Sequence, residues 1–148
     1  MPSLARRELS ADECAIVVQR RGEPLLVRGP ATVRTFWRWK QVVIVNLSPL
    51  LLTTREVDVG TSDGSVASVE LRIGARVTDP LAATAKAADY REATRAVVAT
   101  ATRAQLKEWP AGELLSNREQ IQVAIREQSD EALRAFGVTV SEVQLHLS

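Results

Sequence analysis

Residues 69–77 alternate strictly between apolar and other side chains, and this pattern limits the possible folds more than any other feature of the chain. The apolar positions are Val69, Leu71, Ile73, Ala75 and Val77. A strand of this kind has one buried face and one wet face, which is typical of antiparallel sheets. Directly afterwards, Asp79-Pro80 is a favourable helix start, and the apolar period changes from that of a strand to that of a helix. The order of elements predicts an α+β fold.

Further strands are predicted before this point. Residues 15–19 and 25–27 read as a hairpin around residues 20–24, and residues 42–47 as another strand. Residues 53–61 alternate, which places Val57 and Val59 on one face. Asp63-Gly64 is a strong hairpin turn that joins this strand to residues 65–77.

A short helix is predicted at residues 80–88, directly after the sheet. Two main helices are predicted to follow it. The first covers residues 89–109, and its expected packing face is Ala93, Val97, Ala101 and Ala104. The second opens with a capping box at residues 116–119. Its expected apolar stripe is Ile121, Ala124, Ile125, Ala132 and Phe136.

The end of the chain is predicted to return to the sheet. Gly137 suits the left-handed residue that follows a helix. The strand from residue 138 to residue 147 changes phase near Ser141-Glu142, where we expect a β-bulge. The fold class is therefore α+β, with a curved, mostly antiparallel sheet and two main helices packed on one face.

Composition sets broad limits on function. A chain of 148 residues with a net charge of +1 predicts one domain and gives no general attraction for nucleic acid, so no nucleic-acid partner is expected. We expect an N-terminal arm at residues 1–13, a loose segment or short helix, and a domain at residues 14–148. The sequence shows neither a signal peptide nor an apolar run of spanning length.

Five short segments in a fixed order resemble the SPFH, or Band 7, domain of stomatins, prohibitins and flotillins. They are residues 61–64, 77–80, 89–95, 114–121 and 136–138. The resemblance implies a non-catalytic scaffold that self-associates and organises partner proteins at or near a membrane. It implies homo-oligomers, with membrane proteins or proteases as partners. Most members also have an N-terminal apolar anchor and a C-terminal coiled coil, and neither pattern occurs in this sequence.

One segment concentrates basic and aromatic residues: Arg34, Phe36, Trp37, Arg38, Trp39 and Lys40. Family members usually have an apolar, proline-containing segment here that faces the membrane. Indole rings prefer the headgroup level and basic residues attract anionic lipids, so a peripheral contact with an anionic membrane surface is one interpretation. A half-buried strand is another, and nucleic-acid stacking a third.

A secondary basic group is formed by Arg20, Arg21 and Arg28 on the first hairpin, and solvated charges are its simpler explanation. Cys14 is expected to be a small buried residue and His146 to face solvent. No catalytic residue, metal site or cofactor is predicted, because no acidic pair lies beside a histidine or in a metal-ligand spacing.

The expected function is thus a scaffold and not an enzyme, located in the cytoplasm and peripheral at the inner face of the cell membrane. Two alternatives remain at this point. One is a purely soluble protein-interaction domain with the same fold and no lipid role. The other is an enzyme of unrecognised type, against which the lack of paired catalytic groups counts.

Overall fold

A computed structural model describes residues 6–19, 25–34, 40–86 and 89–147. The strands in these ranges are β1 (Arg6–Leu9), β2 (Glu13–Gln19), β3 (Leu25–Arg28), β4 (Ala31–Arg34), β5 (Lys40–Asn46), β6 (Leu50–Gly60), β7 (Val66–Val77) and β8 (Val138–Leu147). The helices are α1 (Pro80–Lys86), α2 (Tyr90–Leu106) and α3 (Arg118–Leu133), with single 3₁₀ turns at Ala111–Glu113 and Arg134–Phe136.

The described strands pair only in antiparallel fashion. They form a sheet of order β6-β7-β8, a second sheet of order β3-β2-β5 and a two-stranded ribbon of β1 and β4. The predicted α+β class is confirmed, although the strands are divided among three sheets instead of one curved sheet. Between β5 and β6, the Asn46 side chain accepts the Ser48 amide at 2.8 Å, and Pro49 has no amide hydrogen to continue a ladder.

Strand β7 is the central strand of its sheet, and its buried face carries the main core. The five alternating residues predicted from the sequence are all buried, whereas Arg72 and Arg76 on the other face are exposed. Helix α2 packs against β6, and α3 packs against β8 and α2. Cys14, Ile16 and Val45 of the second sheet join the same core.

The start of α1 and the end of α3 are tied together at Gly137. The Asp79 side chain accepts the Ala82 amide at 3.2 Å and so caps α1, which confirms the helix start predicted at Asp79-Pro80. The Gly137 carbonyl accepts the amides of Thr78 and Asp79 at 2.8 and 3.0 Å. Gly137 has a φ of 68°, the left-handed conformation that its position predicted.

The packing face predicted for α2 is wrong by about one residue. Of the expected positions only Ala101 is buried, and the buried face includes Thr94 and Thr102 instead. The Thr94 hydroxyl donates to the Tyr90 carbonyl at 2.7 Å, and the Thr102 hydroxyl donates to the Val98 carbonyl at 2.8 Å. A hydroxyl bonded within its own helix can be buried, so a search for apolar residues alone misplaces the stripe.

The predicted capping box of α3 is also wrong. Asn117 occupies the N-cap position, and the Ser116 hydroxyl donates to the Glu113 carbonyl at 3.2 Å in the preceding turn. Ile121 and Ile125 are buried as predicted. The buried face of α3 continues through Ser129 and Leu133, while the predicted positions Ala124 and Phe136 are half-buried and Ala132 is exposed.

Two bulges set the geometry of the β6-β7-β8 sheet. The bulge predicted in β8 is confirmed, because Ser141 is the extra residue and its hydroxyl donates to the Gly74 carbonyl at 3.0 Å. A second bulge in β6 was not predicted. It separates Val57, which is 62% exposed, from Val59, which is buried, so their predicted common face is wrong. Asp58, with a φ of 55°, makes this bulge.

The expectation of a loose or helical arm is wrong for Arg6–Leu9. This segment is strand β1, paired with β4. Leu9 is buried and forms a small apolar cluster with Ala15, on the face of β2 that points away from the main core. The first strand is therefore held by both a ladder and apolar burial.

Replacement of Gly137 by alanine tests the tie between α1 and α3. The new Cβ would lie 2.1 Å from the Asp79 carbonyl oxygen, in a conformation that is already unfavourable for alanine. We expect Gly137→Ala to lower the free energy of unfolding by about 2 kcal/mol or more, measured by urea denaturation. Gly112→Ala is the control, since no neighbouring atom lies within 4 Å of its added Cβ. Equal midpoints for the two variants would contradict the proposed tie.

Candidate functional site

The structure describes only the two ends of the predicted basic–aromatic segment, residues 34–40. Arg34 is the last residue of β4, and Lys40 is the first residue of β5. Phe36, Trp37, Arg38 and Trp39 lie outside the described residues, as do Arg20 and Arg21. The position of this segment is therefore known from the two strand ends that flank it.

Three strand ends lie together at one end of the β3-β2-β5 sheet. Gln19, the last residue of β2, is the register partner of Lys40. β3 begins at Leu25, which pairs with Val17 near the same end of β2. In sequence, Arg20 and Arg21 directly follow Gln19, and Trp39 directly precedes Lys40. The Arg20–Arg21 pair and the aromatic segment are thus attached to one pair of neighbouring strand ends.

The β1–β4 ribbon contributes a further basic position. Arg34 is the register partner of Arg6, so two arginines occupy opposite places at the end of this ribbon. Six residue steps separate Arg34 from Lys40, and such a stretch spans at most about 20 Å. Arg6 was not among the predicted site residues. Its pairing depends on β1, which the sequence did not indicate.

Arg28 lies at the other end of the same hairpin. It is exposed, and its register partner is Cys14. The topology therefore places Arg28 at the opposite end of β3 from residues 20–24. Its charge acts on Cys14 instead.

Cys14 is fully buried, as expected from the sequence. Burial raises the pKa of the Cys14 thiol, while the positive charge of Arg28 and a hydrogen bond with the Val45 backbone oppose this rise only in part. A thiol with a raised pKa stays protonated at neutral pH and is a poor nucleophile. Cys14 is thus a structural side chain.

Asp63 also has a structural explanation. Its carboxylate accepts the Thr61 hydroxyl at 2.6 Å and the Ser65 amide at 3.1 Å. These bonds, the Thr61 contribution first, hold the pKa of the Asp63 carboxyl below its usual value of 3.8. The ionised side chain closes the turn between β6 and β7.

Within the described ranges, no group of three or more histidine, cysteine, aspartate or glutamate side chains is placed to hold a metal ion. His146 is exposed, as predicted. No helix in the described part of the chain has both the length and the apolar character needed to cross a membrane.

A model of the SPFH domain / Band 7 family matches residues 8–146. The chain belongs to this family, whose members are generally non-catalytic domains of scaffold type.

Similar proteins include stomatin homologs from two archaea. Those of Pyrococcus horikoshii and Pyrococcus abyssi are each 27% identical over 129 residues, which is 87% of this chain and 48% of theirs. An uncharacterized protein of Archaeoglobus fulgidus is 26% identical over 129 residues, 87% of this chain and 52% of that protein. The chain thus spans about half the length of the curated relatives it matches.

The role of Asp63 is tested by Asp63→Asn. Because its folded pKa is lowered, the ionised carboxylate stabilises the fold above the unfolded pKa of about 3.8, and this contribution is lost as the pH falls through the folded value. We expect the wild type to melt at a higher temperature than the variant at pH 7. The difference should shrink below about pH 4.

Thermal melts followed by circular dichroism at pH 7 and pH 3 measure this difference. Glu131→Gln is the matched control, because Glu131 is exposed and bonds to none of the described residues. A pH-independent gap between wild type and Asp63→Asn would rule out the ionised carboxylate as its source.

Proposed function

We propose that this domain is a non-catalytic scaffold of the stomatin/prohibitin type, which self-associates and organises partner proteins at or near a membrane surface. Its membrane contact is assigned to Arg34, residues 36–39 and Lys40, together with Arg20 and Arg21. The membrane is the cytoplasmic face of the cell membrane, and the contact is peripheral.

The pairing of Gln19 with Lys40 is the observation that supports this site most directly. It attaches the hairpin with Arg20 and Arg21 and the aromatic segment to one end of one sheet. A flat membrane can be contacted at several points only by groups at the same end of a domain. The register of Arg6 with Arg34 adds a further basic position at a ribbon end within about 20 Å.

The residue types at this end suit an anionic interface. Each arginine or lysine near an anionic surface contributes about 1 kcal/mol of attraction, and tryptophan favours the headgroup level. Four or five such groups give weak, reversible binding for a single chain. Self-association multiplies the contacts, so an oligomer binds through avidity without any new contact.

The non-catalytic part of the proposal has separate support. The buried Cys14 is held as a thiol, and the Asp63 carboxylate is used in a turn. Catalysis requires a nucleophile, acid or base with a matched partner in reach of a substrate. Within the described ranges these are the two groups with shifted pKa values, and both have structural roles.

Liposome flotation tests the membrane contact. We expect the chain to float with vesicles that contain anionic phospholipid and to float less with neutral vesicles. Trp37→Ser/Trp39→Ser should abolish flotation. Arg20→Gln/Arg21→Gln should weaken partitioning by about 30-fold, which corresponds to roughly 2 kcal/mol.

Control variants replace exposed arginine and apolar side chains that lie outside the proposed contact. Arg76→Gln/Arg91→Gln removes two exposed charges that lie on β7 and α2, and Leu51→Ser removes an exposed apolar side chain. Both controls should float like the wild type. If the wild type does not float on anionic vesicles at low salt, the lipid role is excluded and the alternative applies, a protein-interaction domain with this fold and no lipid role.

A further inference from the structure

A groove of about 450 Å³ lies between α3 and strand β8. Its helix side is formed by Arg118, Gln122, Val123 and Arg126, and its strand side by residues 141–146. Strand β8 is an edge strand, since it pairs with β7 on one side only. The groove is lined by residues of α3 and β8, so it shares no residue with the strand ends of the β3-β2-β5 sheet to which the membrane contact is assigned.

Two backbone amides of β8 point outward from its unpaired edge, and each donates a hydrogen bond to a side chain of α3. The Leu145 amide donates to the Gln122 side-chain oxygen at 2.7 Å, and the Val140 amide donates to the Asp130 carboxylate at 3.0 Å. These amides would bond to a further strand if one were present. Two side-chain oxygens of α3 therefore take the place of the backbone carbonyls of a neighbouring strand.

The edge between these two bonds is open. Val143 lies two residues before Leu145 on a regular stretch of β8, so its amide and carbonyl point to the same side as those of Leu145. In the part of the chain that the structure describes, no side chain bonds to the Val143 amide. An extended peptide in the groove would find a free donor and acceptor at this position.

The charged side chains around this edge indicate which peptide charge would be attracted to the groove. Arg118 is exposed and forms no ion pair with the described residues, and Arg126 has only a 3.9 Å contact with its neighbour Glu127. Among the described residues, Glu142 is the one acid that lines the groove, and Gln144 donates to its carboxylate at 2.7 Å. Val123 is 48% exposed and offers an apolar contact.

We propose that this groove binds an extended, acidic peptide segment of a partner protein, which adds to β8 as a fourth strand of the sheet. Its carbonyl replaces the Gln122 side chain at the Leu145 amide, and its backbone bonds to Val143. Its carboxylates face Arg118 and Arg126, and an apolar side chain covers Val123. The inference extends the partner-gathering part of the proposed scaffold and does not depend on membrane binding.

The groove suits a segment of a partner protein better than it suits a second copy of this chain, which would have to offer the other free edge of the same sheet. That edge is β6, which is interrupted by the bulge at Val57 and Asp58. Its acid Glu56 is already bonded to Arg103 of α2 at 2.7 Å. A bulged strand does not present the regular ladder that a paired strand needs, and Asp58, its exposed acid, lies within the bulge itself.

The probe is a synthetic heptapeptide of alternating glutamate and valine with blocked ends, followed by fluorescence anisotropy. We expect saturable binding that Arg118→Ala/Arg126→Ala weakens at least tenfold. Arg76→Ala/Arg91→Ala, which removes two exposed arginines outside the groove, should bind like the wild type. A lysine–valine peptide of the same length should not bind.

Two further measurements separate strand addition from simple charge attraction. Gln122→Ala should raise the affinity about three- to tenfold, because the peptide no longer displaces a hydrogen bond at Leu145. A peptide methylated on alternate backbone nitrogens should bind at least tenfold more weakly. Bound peptide should also slow hydrogen exchange of the Val143 amide, as read by nuclear magnetic resonance.

Several results would overturn the proposal. They are absence of binding to the wild type, equal binding of the lysine peptide, and equal binding of the methylated peptide. Sedimentation of the free chain gives another: self-association that Arg118→Ala/Arg126→Ala abolishes would assign the groove to a second copy. If the groove binds a partner peptide, liposome flotation of the same double variant stays at the wild-type level, so the failure of one proposal does not imply failure of the other.

Discussion

Burial of one face of β7 is the constraint on which the rest of the structure depends. This central strand pairs on both sides, and its buried side chains belong to the same core as the buried apolar side chains of α2 and α3. A strand that is paired on both edges and covered on one face has a fixed register, because a shift by one residue would turn its apolar side chains to solvent. The positions of β6, β8 and both helices follow from this register.

The same arrangement leaves the sheet with two free edges, and the chain treats them differently. On β6, a bulge at Val57 and Asp58 breaks the regular ladder. On β8, Gln122 and Asp130 of α3 bond to two edge amides and leave the backbone between them open. An interrupted edge resists pairing with another chain, while a partly bonded edge beside Arg118 and Arg126 allows a selected peptide to bind.

The second sheet serves a different purpose. It shares the main core through Cys14, Ile16 and Val45, which fixes its strands against the first sheet. Its ends at Gln19 and Lys40 are then held by a seven-residue strand ladder between β2 and β5. A rigid support of this kind can present short basic and aromatic connections to a surface. Family membership supports a domain of scaffold type.

Local patterns in the sequence determined those features that depend on neighbouring residues alone. They are the alternation of β7, the helix start at Pro80, the left-handed Gly137 and the phase change at Ser141. Other features depend on contacts between distant segments, and only the tertiary structure decided them. The pairing of β1 with β4 and the bulge in β6 require a particular partner strand. The threonine face of α2 depends on which side meets the sheet, since hydroxyls bonded within the helix can be buried with no mark in the apolar pattern.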